Sequence, residues 1–265
     1  MARAKNRRVA PVIKYIVSLI PNLRRFENSP HHRPLVTPSP PAVSSFRGGL
    51  TLQRPMLTLQ NFSKHYGDAL ALTIPSLQLE PGIYWIKGEN GSGKTTLFRS
   101  LTGLLPCEGQ VTFNDNVSLK DTPLAYRRLV NYSEAEPLYP DFLTPKELVR
   151  FIGQAKGANR EQQDRLAARF GIDQFFDKPC GACSSGMLKK VSLTLAFMGA
   201  PKVIILDEPL ITLDEAARRI LFALIQQYSE TQDVIFLLSS HQLLEDAQLT
   251  LKGIFTIRDK TIHAG

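Results

Sequence analysis

Gly88-Glu89-Asn90-Gly91-Ser92-Gly93-Lys94-Thr95 is the stretch that decides how the other residues of this 265-residue chain are read. The apolar run Ile83-Tyr84-Trp85-Ile86 precedes it, and Thr96-Leu97-Phe98-Arg99-Ser100-Leu101, helical in character, follows it. Strand, glycine-rich loop and helix in that order are the setting of a phosphate-binding P-loop. The glycines let the backbone curl so that successive N–H groups point at one anion, and the helix that begins near Lys94 adds its N-terminal dipole. Lys94 brings a full positive charge for the outer phosphates, and the Thr95 hydroxyl suits Mg²⁺. Asn90, Gly91, Ser92, Gly93 and Thr96 complete the expected cradle. The plain alternative is a glycine-rich turn that caps an ordinary helix. Five fixed features within eight residues, flanked by strand and helix, leave it little room.

A phosphate loop needs a carboxylate for the metal, at the end of a neighbouring buried strand. Val203-Ile204-Ile205-Leu206 is apolar throughout, the mark of a central parallel strand, and Asp207-Glu208 follows it directly. Asp207 suits the metal and its water shell. Glu208 is offset by one residue and suited to orient or deprotonate the attacking water. Two acids at the end of an apolar strand are costly unless something positive pairs with them, and a metal–nucleotide complex does that.

The formal net charge is +8, which by itself suggests a nucleic-acid or membrane partner. The distribution argues otherwise. Residues 1–55 hold ten of the 32 Lys/Arg and one of the 24 acids, which leaves 22 bases against 23 acids from residue 56 onward. The folded part is near neutral, so no basic nucleic-acid groove is expected on it. Cys107, Cys180 and Cys183 are few and odd in number, which fits a reducing compartment. Cys180-Gly181-Ala182-Cys183 has no second pair to make a zinc ribbon and does not follow a strand as a redox motif would, so it reads as coincidence. No apolar run reaches the ~18 residues of a membrane span.

Residues 1–55 are rich in Pro, Ser and Gly and do not read as a domain. They are open to three readings: an extension upstream of a working chain that starts near Met56, a disordered basic tail, or a membrane-surface or targeting segment. From Met56 the expected order is a strand at 56–62, a second at 70–79, the P-loop strand and helix, and a short strand at 111–113. Residues 121–199 read as mostly helical. Thr144-Pro145-Lys146-Glu147 is a helix start with N-cap, N1 proline and capping box, and it places Leu148, Phe151, Ile152 and Ala155 on one face. Helices at 161–170, 187–198 and 214–228, strands at 203–206 and 234–238, and a terminal hairpin over 253–263 complete the list.

Several runs together resemble one family. Asp207-Glu208-Pro209 with Leu213-Asp214 is similar to the Walker B and D-loop run of ABC-type ATPases, and Ser239-Ser240-His241 after a buried strand resembles their switch histidine. Cys183-Ser184-Ser185-Gly186-Met187, with Lys189-Lys190-Val191, resembles their signature motif, although Cys183, Ser185 and Met187 depart from the usual Leu, Gly and Gln. Tyr66 resembles the aromatic that stacks on adenine. The resemblance covers about residues 56–265. It implies an α/β fold: a P-loop NTPase, RecA-like core with an antiparallel β subdomain and an α-helical signature subdomain at about 136–198. It implies ATP and Mg²⁺ as ligands, with Thr95 and Asp207 on the metal, Glu208 and His241 catalytic, and Ser184 and Gly186 facing the γ-phosphate held by a second nucleotide-binding domain, identical or not. It also implies a separate transmembrane permease docked between the Q-loop and residues 138–155, and a cytoplasmic location, peripheral on the inner face of the cell membrane. A soluble ABC-type ATPase acting on nucleic acid or ribosomes is the alternative; the single P-loop, without long heptads or a zinc module, disfavours it. The Q-loop departs most. Ala135 aligns best with the expected Gln, and Glu134 and Glu136 on either side both stay open as the contact to metal or water.

Overall fold

The computed structural model describes residues 56–240 and 249–265. Two sheets form among them. In chain order the strands are β1 (Leu57–Tyr66), β2 (Ala69–Leu79), β3 (Gly82–Lys87), β4 (Glu108–Phe113), β5 (Val117–Ser118), β6 (Val130–Ser133), β7 (Val203–Leu206), β8 (Ile235–Ser239), β9 (Leu251–Arg258) and β10 (Thr261–Ala264). The helices are α1 (Lys94–Leu101), α2 (Pro123–Leu129), α3 (Pro145–Ala155), α4 (Arg160–Arg169), α5 (Ser185–Ala196) and α6 (Glu215–Thr231). The smaller sheet is antiparallel, in the order β2-β1-β4-β5. The larger runs β10-β9-β3-β8-β7-β6, parallel from β9 to β6, with β10 antiparallel at its edge.

Alternation along the central strands sorts the core in two. Tyr84, Ile86, Val203, Ile205, Ile235 and Leu237 pack with α1 and the antiparallel sheet. Their neighbours Ile83, Trp85, Ile204, Leu206, Phe236 and Leu238 pack with α3, α5 and α6. A strand buried on both faces must be apolar at every position, which is why β7 and β8 were legible as unbroken runs. The two cores bring their elements to one line, the carboxyl ends of β3, β7 and β8, where ligands of parallel α/β sheets bind.

Two expectations change, and a third is extended. β6 lies inside the region read as helical. Its polar Asn131 and Ser133 mask the strand, yet both are buried against α5: Asn131 Nδ2 donates to the carbonyls of Ala196 (2.8 Å) and Met198 (2.9 Å), and the Ser133 and Ser192 hydroxyls meet at 2.9 Å. The terminal hairpin turns at Asp259 and Lys260, both at positive φ (50° and 60°), as a tight two-residue hairpin turn requires. The hairpin forms as expected, and because β9 also pairs in parallel with β3 it extends the main sheet. On α3 the Thr144 capping box forms as expected, with Glu147 Oε2 accepting from the Thr144 N–H at 2.8 Å. The buried face, however, is Leu148, Val149 and Ile152, which leaves Phe151 at the margin.

Candidate active site

The phosphate loop leaves β3 at Lys87 and enters α1 at Lys94. Gly91 (φ +81°) and Gly93 (φ +111°) occupy backbone conformations that side-chain-bearing residues rarely adopt. Gly88 is required twice over, by its φ of +155° and because a Cβ there would lie 2.4 Å from Ser92 Oγ. Lys94 folds back over the loop and donates to the carbonyls of Gly88 (2.7 Å) and Glu89 (3.0 Å). α3, α4, α5 and α6 each begin with a side chain that accepts a first-turn N–H: Thr144, Asn159, Ser184 and Asp214. α1 begins with Gly93 and has no such cap. Its first-turn N–H groups are the kind an anion satisfies.

Across from the loop, the end of β7 supplies the carboxylates. Asp207 Oδ2 accepts from Thr95 Oγ1 at 2.7 Å and from the Tyr132 hydroxyl at 3.3 Å, and Asp207 Oδ1 accepts from Ser239 Oγ at 2.6 Å. Thr95 and Asp207, 112 residues apart in sequence, are thus in direct contact. Glu208 turns the chain out of the strand at φ +43°, a conformation that costs energy for a residue with a side chain, and its N–H donates to Ser239 Oγ at 3.0 Å. Tyr66 stands at the end of β1, 53% exposed, with its hydroxyl 3.3 Å from Thr96 Oγ1 on α1. The structure therefore brings Tyr66, residues 88–96, Asp207 and Glu208 together. His241 lies outside the described residues.

Ser184 is the N-cap of α5 and accepts the Met187 N–H at 3.2 Å. Gly186 sits against the D-loop: a Cβ there would come within 2.9 Å of the Thr212 carbonyl, and Thr212 is itself at φ +64°. Leu210 and Leu213 are buried in the core, and Asp214 joins Lys190 of α5 at 2.6 Å. The apolar character of this D-loop therefore anchors it. Of the Q-loop acids, Glu134 turns inward to Arg99 of α1 at 3.4 Å, while Glu136 is exposed. Burial raises the Glu134 pKa against the pull of Arg99. Burial also raises the Tyr132 hydroxyl well above its usual range, and the Asp207 and Glu134 charges add to that.

Sequence reasoning missed Arg99, Tyr132 and Lys189. Lys189 is fully buried and donates to three backbone carbonyls, those of Glu134, Ala135 and Asp207. Burial lowers its pKa to about 8, opposed by Asp207, Glu208 and Glu134. It sits on a helix whose positions from 191 to 196 are all buried. The three cysteines are free thiols whose pKa values burial raises, that of Cys180 to about 12.

The family described as "ABC transporter" matches residues 72–211, just over half of the sequence. The chain belongs to the ABC transporter family. It is 32% identical over 222 residues to the ABC transporter ATP-binding protein NatA of Bacillus subtilis, a match covering 79% of this chain and 89% of that protein. It is 34% identical over 166 residues to the phospholipid-transporting ATPase ABCA7 of Homo sapiens, covering 61% of this chain but 8% of that much longer protein. Among solved structures, an ATP-binding subunit of an ABC transporter superposes with a TM-score of 0.70 at 25% identity, covering 79% of this chain and 89% of the other. The fold is that of a P-loop NTPase, and as a member of this family the ABC chain is an ATP-hydrolysing, nucleotide-binding subunit. Among the described residues, no helix is long and apolar enough to cross a membrane.

Proposed function

We propose that this chain holds ATP with Mg²⁺ between its own phosphate loop and the signature helix of a second nucleotide-binding domain, and that hydrolysis drives a separate transmembrane permease. The observation that carries the reading is the 2.7 Å contact of Thr95 with Asp207 beside the uncapped start of α1. A hydroxyl and a carboxylate held at one point suit Mg²⁺, which keeps most of its waters and binds through one or two protein groups plus phosphate. Mg²⁺ would supply charge neutralisation on the phosphoryl oxygens. Lys94, the loop N–H groups and the α1 N-terminus bind and orient the phosphates. Glu208 orients the attacking water and accepts its proton. His241, from the resemblance, assists at the same phosphate, and Tyr66 stacks on the base. Ser184 and Gly186 of the second domain close the other side.

The permease seat is proposed at the outer margin of α3. Phe142 is 79% exposed and Leu138 37%, beside a groove lined by Leu143, Leu148, Phe151 and Arg150. Exposed apolar groups clustered in this way mark a protein contact. Relatives named for transport, NatA and the zinc import ATP-binding protein ZnuC of Roseobacter denitrificans, 29% identical over 190 residues, favour a permease over nucleic acid or ribosomes. Such a subunit works in the cytoplasm, peripheral on the inner face of the membrane.

Glu208→Gln tests the reading. It should retain ATP binding, accumulate an ATP-bound dimer visible by size-exclusion chromatography, and lose turnover by about 10²–10⁴-fold, the usual worth of a general base. Near-normal turnover in that variant would remove Glu208 from the role.

A further inference from the structure

The geometry points to Lys189 as a positioning residue for hydrolysis: its ammonium ties the helix that opens at Ser184 to the backbone at Asp207 and at Glu134–Ala135. The inference rests on the proposed roles of Asp207 and Glu208. Lys189 Nζ lies 2.7 Å from the Glu134 carbonyl, 3.0 Å from that of Asp207 and 3.2 Å from that of Ala135. An ammonium has three N–H groups, and each has an acceptor here. The acceptors lie just past the ends of β6 and β7, where strand pairing stops; the Asp207 N–H to the Ser133 carbonyl, at 2.9 Å, is the bond that bridges the two strand ends. Beyond that point Lys189 takes over from the ladder and holds the two strand exits side by side.

The contacts close a ring. Thr95 of α1 holds the Asp207 carboxylate, the Asp207 carbonyl accepts from Lys189, the Glu134 carbonyl accepts from Lys189, and the Glu134 carboxylate at 3.4 Å meets Arg99, one turn further along α1. A buried cation is costly unless hydrogen-bonded. Packing alone would be served better by leucine or methionine at position 189. A lysine there fixes the backbone that carries the metal carboxylate and the base relative to the signature helix. Any shift of α5 against the sheet is then felt directly at Asp207.

The test compares Lys189→Met, Lys189→Arg and wild type in the full chain, reading ATP affinity without metal, kcat, and the Mg²⁺ concentration for half-maximal rate. Lys189→Met should bind ATP within about 3-fold of wild type, while kcat falls about 10²-fold, the loss expected when a catalytic group is misplaced by about 1 Å. Its Mg²⁺ requirement should rise, and Lys189→Arg, which keeps charge and several donors, should recover most of the rate. Unchanged kcat, or a fall in kcat matched by an equal fall in ATP affinity, overturns the inference. If Lys189→Met does not fold, Lys189→Gln, with two donors, takes its place under the same expectations. Glu208→Gln run alongside separates the two readings. A normal Lys189→Met beside a dead Glu208→Gln overturns the positioning role alone, whereas an active Glu208→Gln overturns the site on which it rests.

Discussion

The N-termini of α1 and α5 are both read as facing phosphate, yet they are built differently. α1 starts at a glycine with φ +111° and no capping side chain. α5 starts at Ser184, whose oxygen accepts the Met187 N–H. An uncapped helix start carries N–H groups that an anion can complete, which with the glycine loop before it suits α1 to the anion-binding role proposed for it. A capped start is stable without one. The Ser184 hydroxyl still has its proton to donate, but it has spent an acceptor lone pair on its own helix. The contrast fits a site shared between two chains: one wall that needs its ligand, and another that must stand finished until a second copy brings the ligand to it.

Lys94→Ala bears hardest on the α1 side of this comparison. Hydrogen bonds to a charged group are worth about 1.5–3 kcal/mol, so loss of the ammonium should weaken ATP binding by roughly 10²-fold while thermal stability changes little. Isothermal titration would show it, and unchanged affinity would mean the loop does not hold the outer phosphates. Ser184→Ala should have a smaller effect and leave ATP binding by a single chain intact. It loses a cap, about 1 kcal/mol of stability, and should lose about 10-fold in turnover. Mixing the two variants sharpens the contrast. In a shared site, a Lys94→Ala chain paired with a Ser184→Ala chain has one fully intact site, so the mixture should hydrolyse ATP faster than either variant alone. No recovery on mixing would place Ser184 in its own chain's site.

The two walls also differed in legibility. Residues 88–95 announce themselves because phosphate binding is done by the backbone, and backbone requirements appear as glycines at fixed spacing. Asp207 and Glu208 were legible because they end a strand, β7, that is apolar at every position. The Q-loop was not. Which of Glu134 and Glu136 turns inward depends on Arg99, 35 residues earlier in the chain, and no local pattern records that pairing. β6 was hidden because Asn131 and Ser133 are polar, and only the Ala196 and Met198 carbonyls and the Ser192 hydroxyl explain why polar residues belong there. Lys189 was hidden because a lysine in a helix reads as a solvated residue until its three carbonyl partners are in view.

Buried lysines extend the comparison to residues away from the phosphate. Lys156 resembles Lys189 in giving its ammonium to backbone carbonyls, those of Arg127 and, at 2.9 Å, Val130. Burial lowers its pKa from 10.5 to about 7, and the nearby Arg127 charge adds to the shift, whereas Asp207, Glu208 and Glu134 hold Lys189 nearer 8. The sign of the linkage follows. Below about pH 7 the folded and unfolded chains both carry the charge, and the folded state bears its full burial cost. Between about 7 and 10.5 the unfolded chain binds a proton that the folded chain does not, so stability rises with pH; above 10.5 neither binds it and the gain is complete. The slope is at most about 1.4 kcal/mol per pH unit for one proton. Lys156→Met removes this term and adds a pH-independent loss of the hydrogen bonds to the Arg127 and Val130 carbonyls. Urea unfolding of both proteins across this range should therefore show wild type gaining on the variant as pH rises. A constant difference would mean that Lys156 keeps its ammonium charged in the folded chain despite its burial, and that burial separates it from Lys189 less than their pKa values imply.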